Sequence, residues 1–274
     1  EAAQRMLRYR LTLWMLGAFP ERIVFHSARA ISNAGLVTGD ERKAVLVPHF
    51  VEPLPGVSDP SVDTPGTAGA PGVGSAEAGS LAGERARSDG TTALAQKRAL
   101  REKLGLPLET FVYVSPGFFF RRKRLIEAIQ ATPPDGLLVL AGTESPHDPG
   151  YLDEIRAYLF EHSVTNVLIN TDYDAMPSYL MAADAVVLFY REGFQSGIAS
   201  HAIWAEKPCI FSDDPAFDMY EGAGLRARDV DELRAAMLEV RKPEVADRLR
   251  RRARELKAEL SPRAMAAKYL EGLA

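Results

Sequence analysis

Residues 191–213 read REGFQSGIASHAIWAEKPCIFSD, and the pattern around them decides the fold. Immediately upstream, Ala185–Phe189 (AVVLF) is a short continuous apolar run, as expected of a strand buried on both faces. Cys209–Phe211 repeats that pattern at the other end. Between them, Ile198, Ala202, Trp204 and Ala205 give an apolar stripe at helical spacing. The stretch is therefore a strand-exit loop, a helix and the next strand. On an open α/β sheet, ligands bind outside the carboxyl ends of the strands, where such loops lie. Glu192, Gly193, Phe194, Gln195, Ser196 and Gly197 form the loop at the helix N-terminus. Unsatisfied N–H groups and the helix dipole favour an anion there.

Working outward, the same alternation extends over most of the chain. Strands are predicted at Phe111–Ser115, Leu137–Ala141, Val167–Ile169, Ala185–Phe189 and Cys209–Phe211, with helices between them. This βα order predicts an α/β domain with a mainly parallel, Rossmann-like sheet covered by helices on both faces. The tail from Val230 is helix-rich, and it includes a run with Arg248, Arg250, Arg251, Arg252 and Arg254 that reads as a solvated face. Ser261 before Pro262 is a good helix start. Upstream, residues 1–52 open with a helix-like pattern and hold strands at Arg22–His26 and Lys43–Pro48, too few elements to close a domain. From Pro53 to about Gly90 the composition shifts to Gly, Pro, Ser, Ala and Thr. Such a segment cannot offset its ordering entropy, so residues 53–95 read as a flexible insertion or linker and 96–274 as the folded domain.

With 274 residues, 46% of them apolar, the chain has ample material for a core. A net charge of −4 argues against a general nucleic-acid binder. The single cysteine, Cys209, excludes an intrachain disulfide framework and a cysteine-rich metal site, and it fits a reducing cytoplasm. Five scattered histidines show no metal-ligand spacing on a helix, so no metal site is expected. The apolar stretch Leu11–Phe19 is too short to span a bilayer. The start at Glu1 reads as the later part of a longer protein.

A second constellation follows the Phe111–Ser115 strand, where SPG ends at Gly117 and FFFRRKRLIEAI continues with Arg121, Arg122, Lys123 and Arg124 opening a helix. Four cations oppose the dipole of a helix start, and an anionic ligand would relieve them. A solvated basic turn is the plain alternative. Two anion-friendly loops at equivalent strand ends could hold a diphosphate between them.

These segments, in this order, resemble the C-terminal, nucleotide-sugar-binding domain of GT-B fold retaining glycosyltransferases of family 4 (glycosyl transferases group 1). RIVFHSARA and AVLVPHFV resemble the end of the acceptor domain and the crossing into the donor domain; SPGFFFRRKRLIEAI resembles the glycine turn with its lysine. LLVLAGTES, NVLINTDYDAMPSYLMAADAVVLFY, EGFQSGIASHAIWAEKPCIFSD and YEGAGLRARDVDELRAAM follow, and SPRAMAAKYLEGL resembles the family's last helix. The resemblance implies an incomplete N-terminal domain. Lys123, six positions after Gly117, matches the lysine on the donor diphosphate. The family's arginine falls at Phe118, with Arg121 or Arg122 as substitutes. Glu192 resembles the first glutamate of the family's pair, beside the donor sugar. Gly193, Phe194, Ser196 and Gly197 form the phosphate loop, and His201 stands where the second, ribose-binding glutamate would be. Asn170 and Thr171 fall at the base.

The resemblance implies transfer of a sugar from a nucleotide-diphosphate donor, with retention and with no further cofactor, to a sugar, lipid or small-molecule acceptor. Glu192 and Lys123 would be the catalytic pair. It also implies cytoplasmic location, peripheral membrane association through the N-terminal domain, and no turnover by this portion alone. Loss of the second glutamate and of the arginine leaves open a non-catalytic nucleotide- or partner-binding protein, and a sugar-nucleotide epimerase of the same fold remains a further alternative. His26, His49, His147 and His162 read as structural or surface residues, Asp213 and Asp214 as a turn, and Asp184 as a helix-to-strand turn residue.

Overall fold

The computed structural model describes residues 23–25, 44–46, 51, 54, 94–191, 193 and 196–273. The helix-like opening, His26, His49, Leu11–Phe19 and most of the 53–95 segment lie outside the described residues. Strands β1 (Ile23–Phe25) and β2 (Ala44–Leu46) pair in parallel. Val51 and Leu54 are buried, and the Val51 amide donates to the Leu260 carbonyl at 2.8 Å.

Among the described residues, the main sheet has six strands, β3 (Phe111–Pro116), β4 (Gly136–Ala141), β5 (Val167–Asn170), β6 (Ala185–Leu188), β7 (Cys209–Ser212) and β8 (Gly224–Ala227). All their pairings are parallel, in the order β5-β4-β3-β6-β7-β8. Parallel neighbours need crossovers, which the intervening helices supply. The helices are α1 (94–104), α2 (Leu125–Ala131), α3 (Tyr151–Glu161), α4 (Met176–Ala182), α5 (Gly197–Trp204), α6 (Val230–Glu239), α7 (Pro243–Glu259) and α8 (Pro262–Leu273). Among the described residues, no helix is long and apolar enough to cross a membrane.

Strand residues alternate between two cores. Val112, Val114, Val186 and Leu188 join α4 and α5 on one face, while Tyr113, Leu138, Leu140 and Val187 join α2, α3 and α6 on the other. Each such fully buried aliphatic side chain contributes about 2 kcal/mol, so burial on both faces drives the expected Rossmann-like sheet. From β3 the chain runs outward to β4 and β5, then returns to β6 on the opposite side of β3. The loops after β3 and β6 consequently part from each other and leave a crevice at this switch point.

Two features depart from the sequence expectations. The edge strand β8 (GLRA) was not anticipated, because it has a single neighbour and carries no continuous apolar run. Its Gly224 packs under Phe211, whose ring would lie 2.4 Å from an added Cβ. The four cations do not open α2: Arg121–Lys123 form a 3-10 turn, Arg124 is left-handed at φ 53°, and the helix begins at Leu125. A left-handed residue breaks the α-helical hydrogen-bond pattern, so the charges precede the helix.

Asp184 is more than a turn residue. Its carboxylate accepts from Lys97 Nζ at 2.7 Å, from Arg101 Nη2 at 2.5 Å and from the Val112 amide at 2.8 Å. Arg101, 3% exposed, also donates to the Ala182, Leu108 and Thr110 carbonyls. Burial opposes the charged carboxylate, yet the bonds from Lys97 and Val112 hold it below its ordinary range. This cluster ties α1 to the β3 and β6 ends away from the crevice. Asp184→Asn is expected to cost about 2 kcal/mol in urea unfolding, by leaving a buried guanidinium short of its counter-charge, without changing ligand affinity.

Candidate functional site

The crevice between the β3 and β6 loops is a cleft of about 300 Å³. Gly117 lines it and follows β3 at φ +92°, a conformation suited to glycine. A Cβ there would come within 2.9 Å of Lys123 Nζ and 3.1 Å of the Ile198 side chain. The glycine thus allows the lysine and the start of α5 to converge on one point.

Lys123 is 4% exposed, and its ammonium donates to the Pro116 carbonyl at 2.6 Å. The Phe120 and Tyr190 rings lie 5.3 and 5.5 Å from Nζ, giving it partial cation–π support. Burial, reinforced by the Arg122 charge, pushes its pKa down to about 7. Among the described residues no carboxylate is hydrogen-bonded to this amine, so an anion entering the cleft would supply its counter-charge. Arg122 also lines the cleft, its guanidinium 4.4 Å from the Phe120 ring centroid.

The opposite wall is the start of α5. Ser196 caps the helix, its hydroxyl oxygen accepting from the Ala199 amide at 3.2 Å and approaching the Tyr190 hydroxyl at 3.4 Å. Burial raises the Tyr190 pKa to about 12, so that phenol stays protonated. The first amides of an α-helix have no intrahelical acceptor; that of Ala199 is taken by Ser196, and Gly197 and Ile198 line the same cleft as Lys123. The Arg191 amide donates to the Arg122 carbonyl at 2.7 Å, tying the two loops together. Ser196→Ala should lower stability by about 1 kcal/mol through the lost cap, measured by thermal unfolding.

Of the residues singled out in the sequence, Gly117, Arg122, Lys123, Gly193, Ser196 and Gly197 line this cleft together. Glu192 and Phe194 lie outside the described residues. Arg121 is turned away: its guanidinium pairs with Asp148 and Glu154, and its amide donates to Asp148 at 2.6 Å. Those carboxylates on and before α3 were invisible to local sequence reasoning. His201 sits in the second turn of α5 and outside the cleft lining, as do Asn170 and Thr171 at the end of β5. The Asn170 side chain is committed to the Tyr179 hydroxyl at 3.2 Å and the Asp172 amide at 3.1 Å. Asp214 caps the turn after β7 and accepts from the Gly193 amide at 3.2 Å, which steadies the glycine of the loop. Phe118, Phe120, Tyr173, Tyr190, Arg191 and Ile198 complete the lining and were missed. Tyr190 and Arg191 follow the β6 run directly and could have been read from it; Tyr173 arrives from the β5 loop and had no local signal.

No protein-family model and no curated protein matches the sequence. Solved structures do match. HepE from Anabaena, solved in complex with UDP, superposes with a TM-score of 0.70 at 13% identity, covering 96% of this chain and 66% of that one. A glycosyltransferase from Rickettsia africae gives 0.67 at 13% identity, over 97% of this chain and 65% of that one. The chain has a glycosyltransferase fold. That fold extends to the C-terminal domain of a group 1 glycosyl transferase, LpcC, from Francisella tularensis, with a TM-score of 0.50 at 16% identity over 59% of this chain and 91% of that domain. The chain spans about 64–66% of the length of the HepE and Rickettsia structures.

Proposed function

We propose that this chain carries the donor site of a retaining, family 4 glycosyltransferase, taking a sugar from a nucleotide-diphosphate donor to a sugar, lipid or small-molecule acceptor. The observation that carries this reading is the buried Lys123 facing the start of α5 across Gly117. A diphosphate fits that chemistry: one phosphate takes the ammonium, the other the amides of Gly197 and Ile198. When the glycosidic bond to the donor breaks, negative charge grows on the leaving phosphate, and fixed donors aimed there lower the barrier. Arg122, rather than Arg121, supplies the second cation. Glu192 is proposed to orient the donor sugar, as the family resemblance implies. Acceptor binding, retention, action in the cytoplasm and any membrane association belong to the same reading and depend on the complete enzyme.

HepE has been solved with UDP and with UDP-glucose, so these are the first ligands to test. Titration calorimetry of this chain with UDP-glucose and with UDP, GDP, ADP and TDP should show saturable binding of at least one, with Kd between about 1 μM and 1 mM. Absence of binding by all of them would reject the donor site. Transfer to an acceptor by the complete enzyme, with the anomeric configuration followed by NMR, then tests retention. Phe118 in place of the family's arginine and His201 in place of its second glutamate favour a second reading, a nucleotide-binding protein without catalysis. That reading predicts binding with neither transfer nor donor hydrolysis.

A further inference from the structure

Phe118 and Tyr173 are large aromatic side chains left 42% and 38% exposed. Their rings stack on one another, with centroids 5.0 Å apart and planes 25° from parallel. Phe118 follows the glycine of the β3 loop and Tyr173 comes from the β5 loop, so a contact across the strand ends assembles the pair. Both rings line the cleft that holds Lys123. One part of this cleft therefore suits a diphosphate, and another offers an exposed, preassembled aromatic surface.

We propose that the Phe118–Tyr173 stack is a nucleobase platform, and that it makes this donor site tolerant of which base it receives. The proposal rests on the donor-site reading above. Every base has a π-face, so stacking binds all of them and discriminates mainly by ring area. Discrimination between bases needs fixed polar groups that read the base edge. The nearby Asn170 side chain is already committed to Tyr179 and the Asp172 amide. Position 118, where the resemblance expects a phosphate-binding arginine, thus contributes stacking surface instead.

The test is calorimetric titration of wild type, Phe118→Ala and Tyr173→Ala with UDP, GDP, ADP, TDP and inorganic pyrophosphate. Wild type should bind the four nucleotides within about tenfold of one another, purines tighter. Each alanine variant should weaken all four by about tenfold, the loss of one stacking contact, while pyrophosphate affinity stays within about twofold. Tyr173→Phe should bind like wild type, because stacking needs the ring and not the hydroxyl; it also separates stacking from any general damage to the fold. Tight nucleotide binding by wild type that both alanine variants retain would overturn the platform alone. Preference for one base by more than about 100-fold would overturn the tolerance. Failure of wild type to bind any nucleotide would overturn the donor reading together with this one.

Discussion

Lys123→Ala is expected to weaken nucleoside diphosphate and pyrophosphate binding by about 100-fold, the value of a charge-assisted hydrogen bond in a buried site. The amine is held under Phe120 and Tyr190 with the Pro116 carbonyl as its acceptor and, among the described residues, no hydrogen-bonded carboxylate, so its charge is poorly compensated until an anion arrives. The pKa near 7 set by burial and by Arg122 gives this binding a proton signature. The sign follows from linkage. A diphosphate favours the ammonium and raises the pKa of the bound site. Above pH 7 binding must then take up a proton, and affinity must fall as pH rises. Calorimetry at pH 8 in buffers of different ionisation enthalpy should show uptake approaching one proton per ligand, and the alanine variant should show none. For folding without ligand the sign is opposite. The unfolded chain holds this proton to a higher pH than the folded one, so the lysine's burial destabilises in full below pH 7, and stability rises from pH 7 toward 10. Equal affinity and equal proton uptake in wild type and variant would remove Lys123 from the site.

Gly142→Ala is expected to abolish the same binding and to lower stability by about 3 kcal/mol through overpacking. The glycine follows β4, and an added Cβ would lie 2.1 Å from the Gly117 carbonyl oxygen and 2.7 Å from its carbon. Those atoms are backbone and cannot rotate away. The loops there are fastened by the Gly117 amide to the Ala141 carbonyl at 2.8 Å and the Phe119 amide to the Thr143 carbonyl at 2.7 Å. Relief therefore requires shifting the β3 loop, and with it Phe118, the Pro116 carbonyl and Lys123. Gly105→Ala is the control. Gly105 also has a positive φ, +66°, but an added Cβ there would meet no atom of the described residues within 4 Å, so only backbone strain of about 1 kcal/mol remains. Urea unfolding and nucleotide titration of both variants separate crowding from strain; undiminished binding by Gly142→Ala would show that the loops are not rigidly coupled.

Much of the sheet was legible because its strands are buried on both faces, which forces continuous apolar runs such as AVVLF and LLVLA. β8 escaped notice because an edge strand needs no such run, and GLRA satisfies its one neighbour with backbone bonds. The start of α5 was readable from Ser196, a capping residue just before an apolar helical stripe, and Lys123 from its place after the Gly117 turn. The roles of the neighbouring arginines were not readable. Arg121 and Arg122 are adjacent and chemically identical, yet one is bound by Asp148 and Glu154 while the other lines the cleft.

By itself, then, the sequence determined the parallel α/β architecture and the two loops that meet at its switch point, since hydrophobic periodicity, glycine turns and helix caps act over a few residues. Only the tertiary structure decided which cation faces the cleft, that Lys123 is buried among aromatic rings, and that Phe118 stacks on Tyr173. Those outcomes depend on contacts between segments far apart in the chain, and the burial that sets a side chain's charge and direction exists only once the sheet has brought those segments together.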